Sequence, residues 1–225
     1  MGSILFRPFM ETPEISDVPK VYGLLKNPLF AWAGVRPIFA QHTFAEDQAL
    51  RSWARNREIV VEIGVAEGGS ALALKSTMLD SGVLFLIDPY HLSRFRWINS
   101  PKRAAHSLLR RSSHSATGPA SNVKVIWIED FSFNAVKSWN QKIDFLFLDG
   151  NHDEDAVRRD WEEWHEFVVP KGIVAFHDAR VFRNGWPTAS DGPVKMVNGL
   201  FRGRNTTGWK IVDETHSIVF LEKCE

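Results

Sequence analysis

The sequence predicts an α/β domain with an open, mostly parallel sheet and helices on both of its faces. Apolar runs of strand length alternate with segments of helical periodicity along most of the 225 residues, as in folds where helices connect parallel strands. An acidic residue stands at or just beyond the end of each of five predicted strands. Because the carboxyl ends of parallel strands meet in one crevice, the sequence predicts a single ligand site there.

Composition excludes several classes of protein. The 27 basic and 27 acidic residues balance to a formal charge of zero, which argues against a nucleic-acid partner. Because Cys224 is the only cysteine, the chain can form neither an intramolecular disulfide framework nor a zinc site made of cysteines. No apolar run approaches the length of a membrane span, and the N-terminus lacks a signal-peptide core. We therefore expect a cytoplasmic protein without a membrane partner.

The first 55 residues precede the predicted sheet. Prolines and mixed polarity indicate an irregular lead-in over residues 1–20, and helical spacing over residues 21–30 and 44–56 predicts two helices. We expect this N-terminal helical extension, residues 1–55, to be a lid over the site, a packing element or the arm of a homodimer. Residues 56–225 then form the main domain.

The main domain is organised around residues 58–75. The β-branched run Ile59–Ile63 predicts a strand covered on both faces, and the Ala, Leu and Lys content of residues 70–78 predicts a helix. Gly64 and Gly68 make the turn between them, a conformation that glycine enters easily. A strand, a glycine turn and a helix N-terminus together form a site for a nucleotide-like ligand.

An acid near the end of this first strand indicates the charge of that ligand. Glu62 precedes the turn, and Ala66 occupies the position where a dinucleotide-binding turn carries its second glycine. A carboxylate at this place would repel a pyrophosphate, whereas it suits a cationic ligand.

The next two predicted strands are also followed by acids. Residues 83–88 form the second strand, which ends in Asp88 about twenty residues past the glycine turn. An acid at this place either accepts hydrogen bonds from ribose hydroxyls or caps the next turn. Residues 123–128 form the third strand, and Asp130 comes shortly after it.

The segment from residue 89 to residue 128 contains no acidic residue. Such a charge run is either the solvated face of a helix or a surface that receives an anionic substrate. Its basic residues are Arg94, Arg96, Lys102, Arg103, Arg110, Arg111 and Lys124.

Two more parallel strands are predicted in the second half of the chain. Residues 142–148 end at Asp149, and residues 173–176 are followed by His177 and Asp178. The sequence therefore brings a histidine and two more acids to the same edge of the sheet.

One amphipathic helix connects these two strands. Its apolar positions recur every three or four residues opposite a charged face, so we expect its tryptophans to pack against the sheet. Residues 170–172, Pro-Lys-Gly, are expected to end the helix. The apolar face comprises Val157, Trp161, Trp164 and Val168.

The chain closes with a long connection and a hairpin. Residues 180–208 contain one short helical candidate, residues 194–201, and long loops at this end of a sheet tend to carry function. Residues 209–212 and 217–221 predict two short antiparallel strands.

Four motifs stand at the ends of the predicted strands, namely Val61-Glu-Ile-Gly-Val-Ala-Glu-Gly-Gly-Ser70, Ile87-Asp-Pro-Tyr90, Leu148-Asp-Gly-Asn-His152 and Phe176-His-Asp178. They resemble motifs of small class I O-methyltransferases, which use S-adenosylmethionine. The resemblance covers about residues 58–180 and is closest to the group of macrocin-type sugar O-methyltransferases and cephalosporin-hydroxylase-like proteins. It implies a Rossmann-like, seven-stranded, mostly parallel sheet with helices on both faces and a C-terminal antiparallel hairpin.

The resemblance implies how the strand-end acids bind S-adenosylmethionine. Glu62 would hold the amino-acid end of the cofactor, Asp88 the ribose and Asp130 the adenine amino group. The residues implied to bind the cofactor are Glu62, Gly64, Gly68, Ser70, Asp88, Asp130 and Asp149.

A divalent cation, Mg²⁺ or Mn²⁺, is also implied by the resemblance. Asp149 and Asp178 correspond to two metal-binding acids of the metal-dependent relatives, and oxygen ligands suit such ions. Catechol-type relatives carry the third ligand directly after the second acid, where this chain has Ala179. The hydroxylase-like relatives place a ligand just before it, which is His177 here.

A histidine after the fourth strand is the predicted general base. His152 follows Asp149 by three residues, and the two form the predicted catalytic pair. An unperturbed imidazole has a pKa of about 6.5, which suits proton transfer near neutral pH. A helix-capping or surface histidine is the alternative interpretation, and His91 is a second candidate for the base.

We therefore predict an S-adenosylmethionine-dependent O-methyltransferase assisted by a divalent metal and a histidine. Its acceptor would be a hydroxyl of a small molecule, sugar-like or phenolic, and it would be anionic if the basic segment receives the substrate. An NAD(P)-dependent Rossmann oxidoreductase is one alternative, although the chain lacks its Gly-x-Gly-x-x-Gly turn. A non-catalytic nucleotide-binding protein is the other.

Overall fold

A computed structural model describes four stretches of the chain. These are residues 41–90, 100–112, 122–202 and 208–225. The predicted helix over residues 21–30 lies outside them. So do three of the residues named above, His91, Arg94 and Arg96.

Seven strands form one mixed sheet. They are β1 (Ile59–Ile63), β2 (Val83–Ile87), β3 (Lys124–Ile128), β4 (Ile143–Leu148), β5 (Val168–Phe176), β6 (Trp209–Thr215) and β7 (Ile218–Lys223). Their order across the sheet is β3-β2-β1-β4-β5-β7-β6. The first five strands are parallel, and β7 runs antiparallel to both β5 and β6. The predicted parallel sheet with a closing antiparallel hairpin is confirmed.

Helices cover both faces of the sheet, as predicted. They are α1 (Phe44–Ala54), α2 (Gly69–Lys75), α3 (Ser100–Ser112), α4 (Ser132–Ala135), α5 (Glu154–Trp164) and α6 (Gly192–Phe201). The first three pack on one face and the last three on the other. None of the helices in the described stretches has both the length and the apolar character needed to cross a bilayer.

The central strands are largely apolar because each face is covered by helices. In β4, Phe145 and Phe147 point to the layer that contains α1, α2 and α3, whereas Leu146 points to the other layer. Trp161 and Trp164 of α5 are buried in that second layer. The prediction that these tryptophans are core residues is confirmed.

The boundary between α5 and β5 differs from the prediction. The expected helix reached Val168 and ended at residues 170–172, but α5 ends at Trp164 and β5 already begins at Val168. Val168 pairs with Ile143 of β4, and the ladder then shifts register. Lys171 has a φ of 61°, so the Pro-Lys-Gly segment forms an irregularity within the strand instead of a helix stop.

Part of the acid-free segment forms α3, which packs on the sheet through Ala105 and Leu109. Lys102 on its surface contacts Glu129, and Arg110 is exposed. The positions of Lys102 and Arg110 are consistent with a solvated helix face. A surface for an anionic substrate remains a prediction.

The segment before the sheet is fixed to the C-terminal hairpin. Thr43 and Glu46 form a capping box at the start of α1. The fully buried carboxylate of Glu46 also accepts hydrogen bonds from the backbone N–H and the hydroxyl of Ser217, at 2.8 and 2.6 Å. These contacts hold the residues just before α1 against the main domain.

Candidate active site

The turn after β1 brings the tips of β1 and β4 into contact. Gly64 has a φ of 87° and Gly68 a φ of 84°, in the left-handed region that favours glycine. A Cβ on Gly64 would lie 2.0 Å from the carbonyl oxygen of Asp149. A Cβ on Gly68 would lie 3.0 Å from Ala105 of α3. Gly64 thus permits the close approach of two strand ends, and Gly68 permits the packing of the turn on α3.

Glu62 lies fully buried beneath this turn. Its Oε1 accepts a short hydrogen bond from the hydroxyl of Ser70, and its Oε2 has no partner among the described residues. Burial raises the pKa of Glu62 well above its usual value, and the charges of Asp149 and Asp88 add to this effect. A buried carboxyl with one unpaired oxygen would be stabilised in its charged form by a cation.

Asp88 holds the glycine turn from the tip of β2. Its Oδ2 accepts hydrogen bonds from the backbone N–H groups of Val65 and Ala66, at 2.9 and 3.1 Å. Its Oδ1 accepts from the N–H of Tyr90 at 2.7 Å. A carboxylate has about four lone-pair sites, so one site remains for a ligand hydroxyl.

A cavity of about 1200 Å³ opens at the carboxyl ends of the parallel strands. Five of the predicted site residues line it, namely Gly64, Ser70, Asp88, Asp149 and His152. The predicted crevice therefore exists, and these five residues come from the ends of β1, β2 and β4 and the connections that follow them.

Asp130 is more exposed than the other predicted acids. Its exposed carboxylate accepts hydrogen bonds from the N–H of Phe131 at 2.7 Å and from Asn134 at 2.9 Å. It is absent from the cavity wall, which the next residues, Phe131, Ser132 and Phe133, help to form.

A cluster of two acids and two histidines lies beside the cavity. Nδ1 of His177 is 3.1 Å from Oδ1 of Asp149 and 3.4 Å from Oδ1 of Asp178. Nδ1 of His152 is 3.5 Å from Oδ2 of Asp178, and its Nε2 is 3.7 Å from Oδ1 of Asp149. The predicted catalytic pair, Asp149 and His152, therefore lies in the same cluster as the other two predicted metal ligands, His177 and Asp178.

Charge in this cluster is balanced between the acids and the histidines. Burial would raise the pKa of Asp149, but the charges of His177 and His152 lower it to about 2. Burial opposes protonation of His177, yet Asp149 and Asp178 hold its pKa well above the usual value. Asp149 likewise raises the pKa of the half-exposed His152, against the effect of burial, with help from Asp178.

Three side chains of the cluster could hold a cation. One ligand atom from each of Asp149, His152 and Asp178 lies within 4.8 Å of the others. This group contains His152, whereas the sequence pointed to His177. His177 remains in contact with both acids, but burial leaves its side chain only 3 % exposed.

The position after the second acid faces the protein interior. Ala179 is fully buried in the core, and its N–H donates to the carbonyl of Ser217 at 2.9 Å. A metal ligand at this position would therefore point away from the cluster. Asp178 instead accepts a 2.5 Å hydrogen bond from the indole N–H of Trp186, a residue of the long connection that the sequence did not single out.

Several residues of the cavity wall were not predicted. Asp160 is the most informative, because it is a carboxyl on the apolar face of α5 and only 8 % exposed. Its spacing from Val157 and Trp164 is the signal in the sequence that places it on that face. Other unpredicted wall residues are Gln41, His42, Tyr90, Phe131, Ser132, Phe133 and Arg159.

We expect Asp160→Asn to stabilise the protein near neutral pH. Burial raises the pKa of Asp160 to about 6, above the value of about 3.9 in an unfolded chain. The native state then binds more protons than the unfolded state between these values, so stability falls as the pH rises. The variant should gain up to about 3 kcal/mol at pH 7 and little at pH 3.

Urea unfolding at both pH values would measure this difference. Asp130→Asn is a matched control, since Asp130 is exposed. If Asp160→Asn changes the free energy of unfolding equally at pH 3 and pH 7, the expected dependence of stability on the ionisation of Asp160 is contradicted.

Comparison with known proteins identifies the fold. Residues 61–179, more than half of the chain, match a family model described as a methyltransferase domain. The O-methyltransferase TomG from Streptomyces achromogenes, involved in tomaymycin synthesis and solved with S-adenosylmethionine, is 16% identical with a TM-score of 0.60 and 93% of each chain covered.

Two further solved structures share the fold. An O-methyltransferase from Bacillus cereus, in complex with S-adenosylhomocysteine, is 16% identical with a TM-score of 0.59, over 93% of this chain and 95% of the other. An rRNA methylase from Streptococcus thermophilus is 12% identical with a TM-score of 0.52, over 80% and 95%. The chain belongs to the family of methyltransferase domains and is an enzyme with the fold of the S-adenosylmethionine-dependent methyltransferases.

Proposed function

We propose that this enzyme transfers a methyl group from S-adenosylmethionine to a hydroxyl of a small molecule. The proposal rests on the convergence of Asp88 and Asp149 at one cavity, beside a pair of histidines. The buried Glu62 lies near enough for the charges of both acids to raise its pKa. Transfer to oxygen is supported by the two solved O-methyltransferases that share the fold. A sugar-like or phenolic acceptor, as implied by the sequence motifs, is part of the proposal.

The charge of the site fits this cofactor. S-adenosylmethionine supplies a methyl group on a positively charged sulfur. Glu62, whose Oε2 is buried without a partner, would be ionised by the nearby positive charge of the cofactor's amino-acid end. Asp88 would accept a ribose hydroxyl on its remaining lone-pair site, and Ser70 would keep Glu62 oriented. The same carboxylates would repel a pyrophosphate, which disfavours a dinucleotide-dependent oxidoreductase.

His152 would serve as the general base. As the acceptor oxygen bonds to the methyl carbon and the carbon–sulfur bond breaks, His152 takes the proton that the hydroxyl loses. The proton would go to Nε2, which lies 3.7 Å from Asp149, beyond hydrogen-bond distance. Asp178, on the Nδ1 side, would stabilise the imidazolium. A positioned base contributes roughly 10²–10⁴-fold to the rate.

Asp149 and Asp178 would hold a divalent cation, with one of the two histidines as a further ligand. Their carboxylate oxygens suit Mg²⁺ or Mn²⁺. Such an ion would act as a Lewis acid and orient the acceptor oxygen.

Residues 1–55 would form a lid over the site, with residues 56–225 as the catalytic domain. Gln41 and His42, the first residues that the structure describes, line the cavity. The buried Glu46 holds this segment to the hairpin through Ser217. Binding of a ligand would therefore be coupled to the position of the N-terminal extension.

Binding of S-adenosylhomocysteine, measured by calorimetry, tests the proposed cofactor. We expect Asp88→Ala to weaken this binding by about 10–100-fold, because hydrogen bonds to a charged group are lost both in the turn and at the ribose. Asp80→Ala is the control, since Asp80 makes similar hydrogen bonds to Asn122 at the opposite edge of the sheet.

Labelled S-adenosylmethionine and a panel of sugars and phenols would then reveal the acceptor, with the methylated atom located by mass spectrometry. Binding of NAD⁺ without binding of S-adenosylhomocysteine would refute the proposal.

A further inference from the structure

Two phenylalanines line one part of the cavity, which we call the slot. Phe131 and Phe133, which follow β3, have stacked rings with centroids 5.1 Å apart and planes 15° from parallel. Both residues line the cavity, together with Ser132 between them and Gly150 after β4. An aromatic wall of this kind suits a heteroaromatic base.

The position of this slot matches the layout of the cofactor. The glycine turn and Glu62 would take the charged amino-acid end, and Asp88 at the tip of β2 would take the ribose. β3 lies beside β2 on the side away from β1, and the residues that follow β3 line the cavity. The remaining part of the cofactor, the adenine, would therefore fall beside Phe131 and Ser132.

Asp160 presents a carboxylate to this slot from α5. Its Oδ1 accepts a 2.5 Å hydrogen bond from the hydroxyl of Ser132, which fixes the orientation of the group. Its Oδ2 accepts no hydrogen bond from the residues that the structure describes, and it would lie 3.6 Å from a Cβ placed on Gly150. An oriented acceptor atom is thus available at the end of the slot.

Packing alone does not account for an acid at this position. Asp160 shares its helix face with Val157, Trp161 and Trp164, which are buried in the core. Burial without a partner on Oδ2 disfavours the charged form of the group. A ligand that donates a hydrogen bond would reverse this penalty.

We propose that Asp160, oriented by Ser132, accepts a hydrogen bond from the exocyclic amino group of the cofactor's adenine. The inference rests on the proposed function, because it assumes an adenosyl cofactor in the cavity. It moves this role from Asp130, whose carboxylate is exposed and already bonded to Phe131 and Asn134. The carboxylate would select for an amino group at this edge of the purine and against a carbonyl.

A pair of ligands that differ only at this edge tests the proposal. S-Inosylhomocysteine has a carbonyl where S-adenosylhomocysteine has the amino group. We expect the unmodified enzyme to bind the amino form at least about tenfold more tightly, since the carbonyl would face a carboxylate without a proton between them.

Asp160→Asn should remove or invert this preference, because the amide can donate a hydrogen bond to the carbonyl. Calorimetry with both ligands gives the ratio of affinities, which is independent of catalytic activity. Asp130→Asn is the matched control and should leave the ratio unchanged. If Asp160→Asn does not fold, Asp160→Ser takes its place, with a ratio expected near one.

Two results would overturn the inference, and they are distinguishable. If Asp160 only supports Ser132, Asp160→Asn would weaken the binding of both ligands equally, and the ratio of the two affinities would be that of the unmodified enzyme. If neither ligand binds the unmodified enzyme, the proposed function fails and this inference fails with it. A ratio that changes in Asp130→Asn instead would return the role to Asp130.

Discussion

Gly64→Ala is expected to abolish measurable binding of S-adenosylhomocysteine and to destabilise the fold. The added methyl group would lie 2.0 Å from the carbonyl oxygen of Asp149 and 2.8 Å from Cα of Gly150, both backbone atoms without freedom to rotate away. Gly64 also has a φ of 87°, where an L-residue is strained by roughly 1–2 kcal/mol. With overpacking of about 1–3 kcal/mol, the loss of stability should be roughly 2–5 kcal/mol.

The effect on binding follows from the position of Asp149. The N–H of Asp149 donates to the carbonyl of Ile63 at 2.8 Å, so the tips of β1 and β4 are directly bonded. A methyl group on Gly64 would separate them and move Asp149 away from His177 and His152. We expect the affinity for S-adenosylhomocysteine to fall by at least about 100-fold, as several oriented contacts are lost together.

Gly199→Ala is a matched control for this substitution. Gly199 lies in α6, and no atom lies within 4 Å of the position that its Cβ would take. Alanine in a helix interior is more stable than glycine by roughly 0.5–1 kcal/mol, so this variant should melt at or above the temperature of the unmodified protein. Calorimetric titration of both variants separates the two outcomes. Normal binding by a folded Gly64→Ala variant would contradict the role of the turn.

The strands that carry the site were predictable because their signals are local. Ile59–Ile63 has the predicted bounds, and Val83–Ile87 ends one residue before the predicted end at Asp88. Buried apolar runs flanked by turn residues define such strands. The glycine turn and the acids after the strands follow from the same short stretches. Parallel order then brings Asp88 and Asp149 to one cavity without any knowledge of tertiary contacts.

The side chains that complete the site depend on tertiary packing. Asp130 follows β3 as predicted, but its carboxylate bonds to the adjacent helix instead of facing the cavity. Asp160 is 28 positions away from Ser132 and reaches it only because α5 packs beside the loop after β3. Trp186 contacts Asp178 from the long connection, whose conformation no periodicity encodes. Spacing along the chain therefore predicted which edge of the sheet carries the acids. It did not predict the direction in which each side chain points.

Removal of divalent ions is expected to lower the rate of methyl transfer by roughly 100-fold or more, because a Lewis acid contributes several kcal/mol. Addition of Mg²⁺ or Mn²⁺ after EDTA treatment should restore the rate. Asp178→Asn should raise the concentration of Mn²⁺ needed, since one charged oxygen ligand is lost. Asp213→Asn, a change to an acid that accepts a hydrogen bond from Trp53 away from the cluster, should leave the metal requirement unchanged.

The two histidines of the cluster give different results in this experiment. If His152 is a metal ligand, as its place near Asp149 and Asp178 allows, His152→Ala should weaken Mn²⁺ binding measured by calorimetry. If His152 is the base, the variant should bind Mn²⁺ normally and lose roughly 10²–10⁴-fold in rate. In that case His177→Ala should weaken Mn²⁺ binding, because His177 is the other histidine whose ring nitrogen lies beside both acids.

The dependence of the rate on pH provides a second criterion for the base. Asp149 and Asp178 raise the pKa of His152, so without metal this imidazole loses its proton at a higher pH than an ordinary histidine does. The rate should therefore rise with pH through this raised pKa, and a cation bound by the two acids should shift the rise to lower pH. Full activity in EDTA, with a rate that still falls at acid pH and is lost in His152→Ala, would refute the metal and leave His152 as the base.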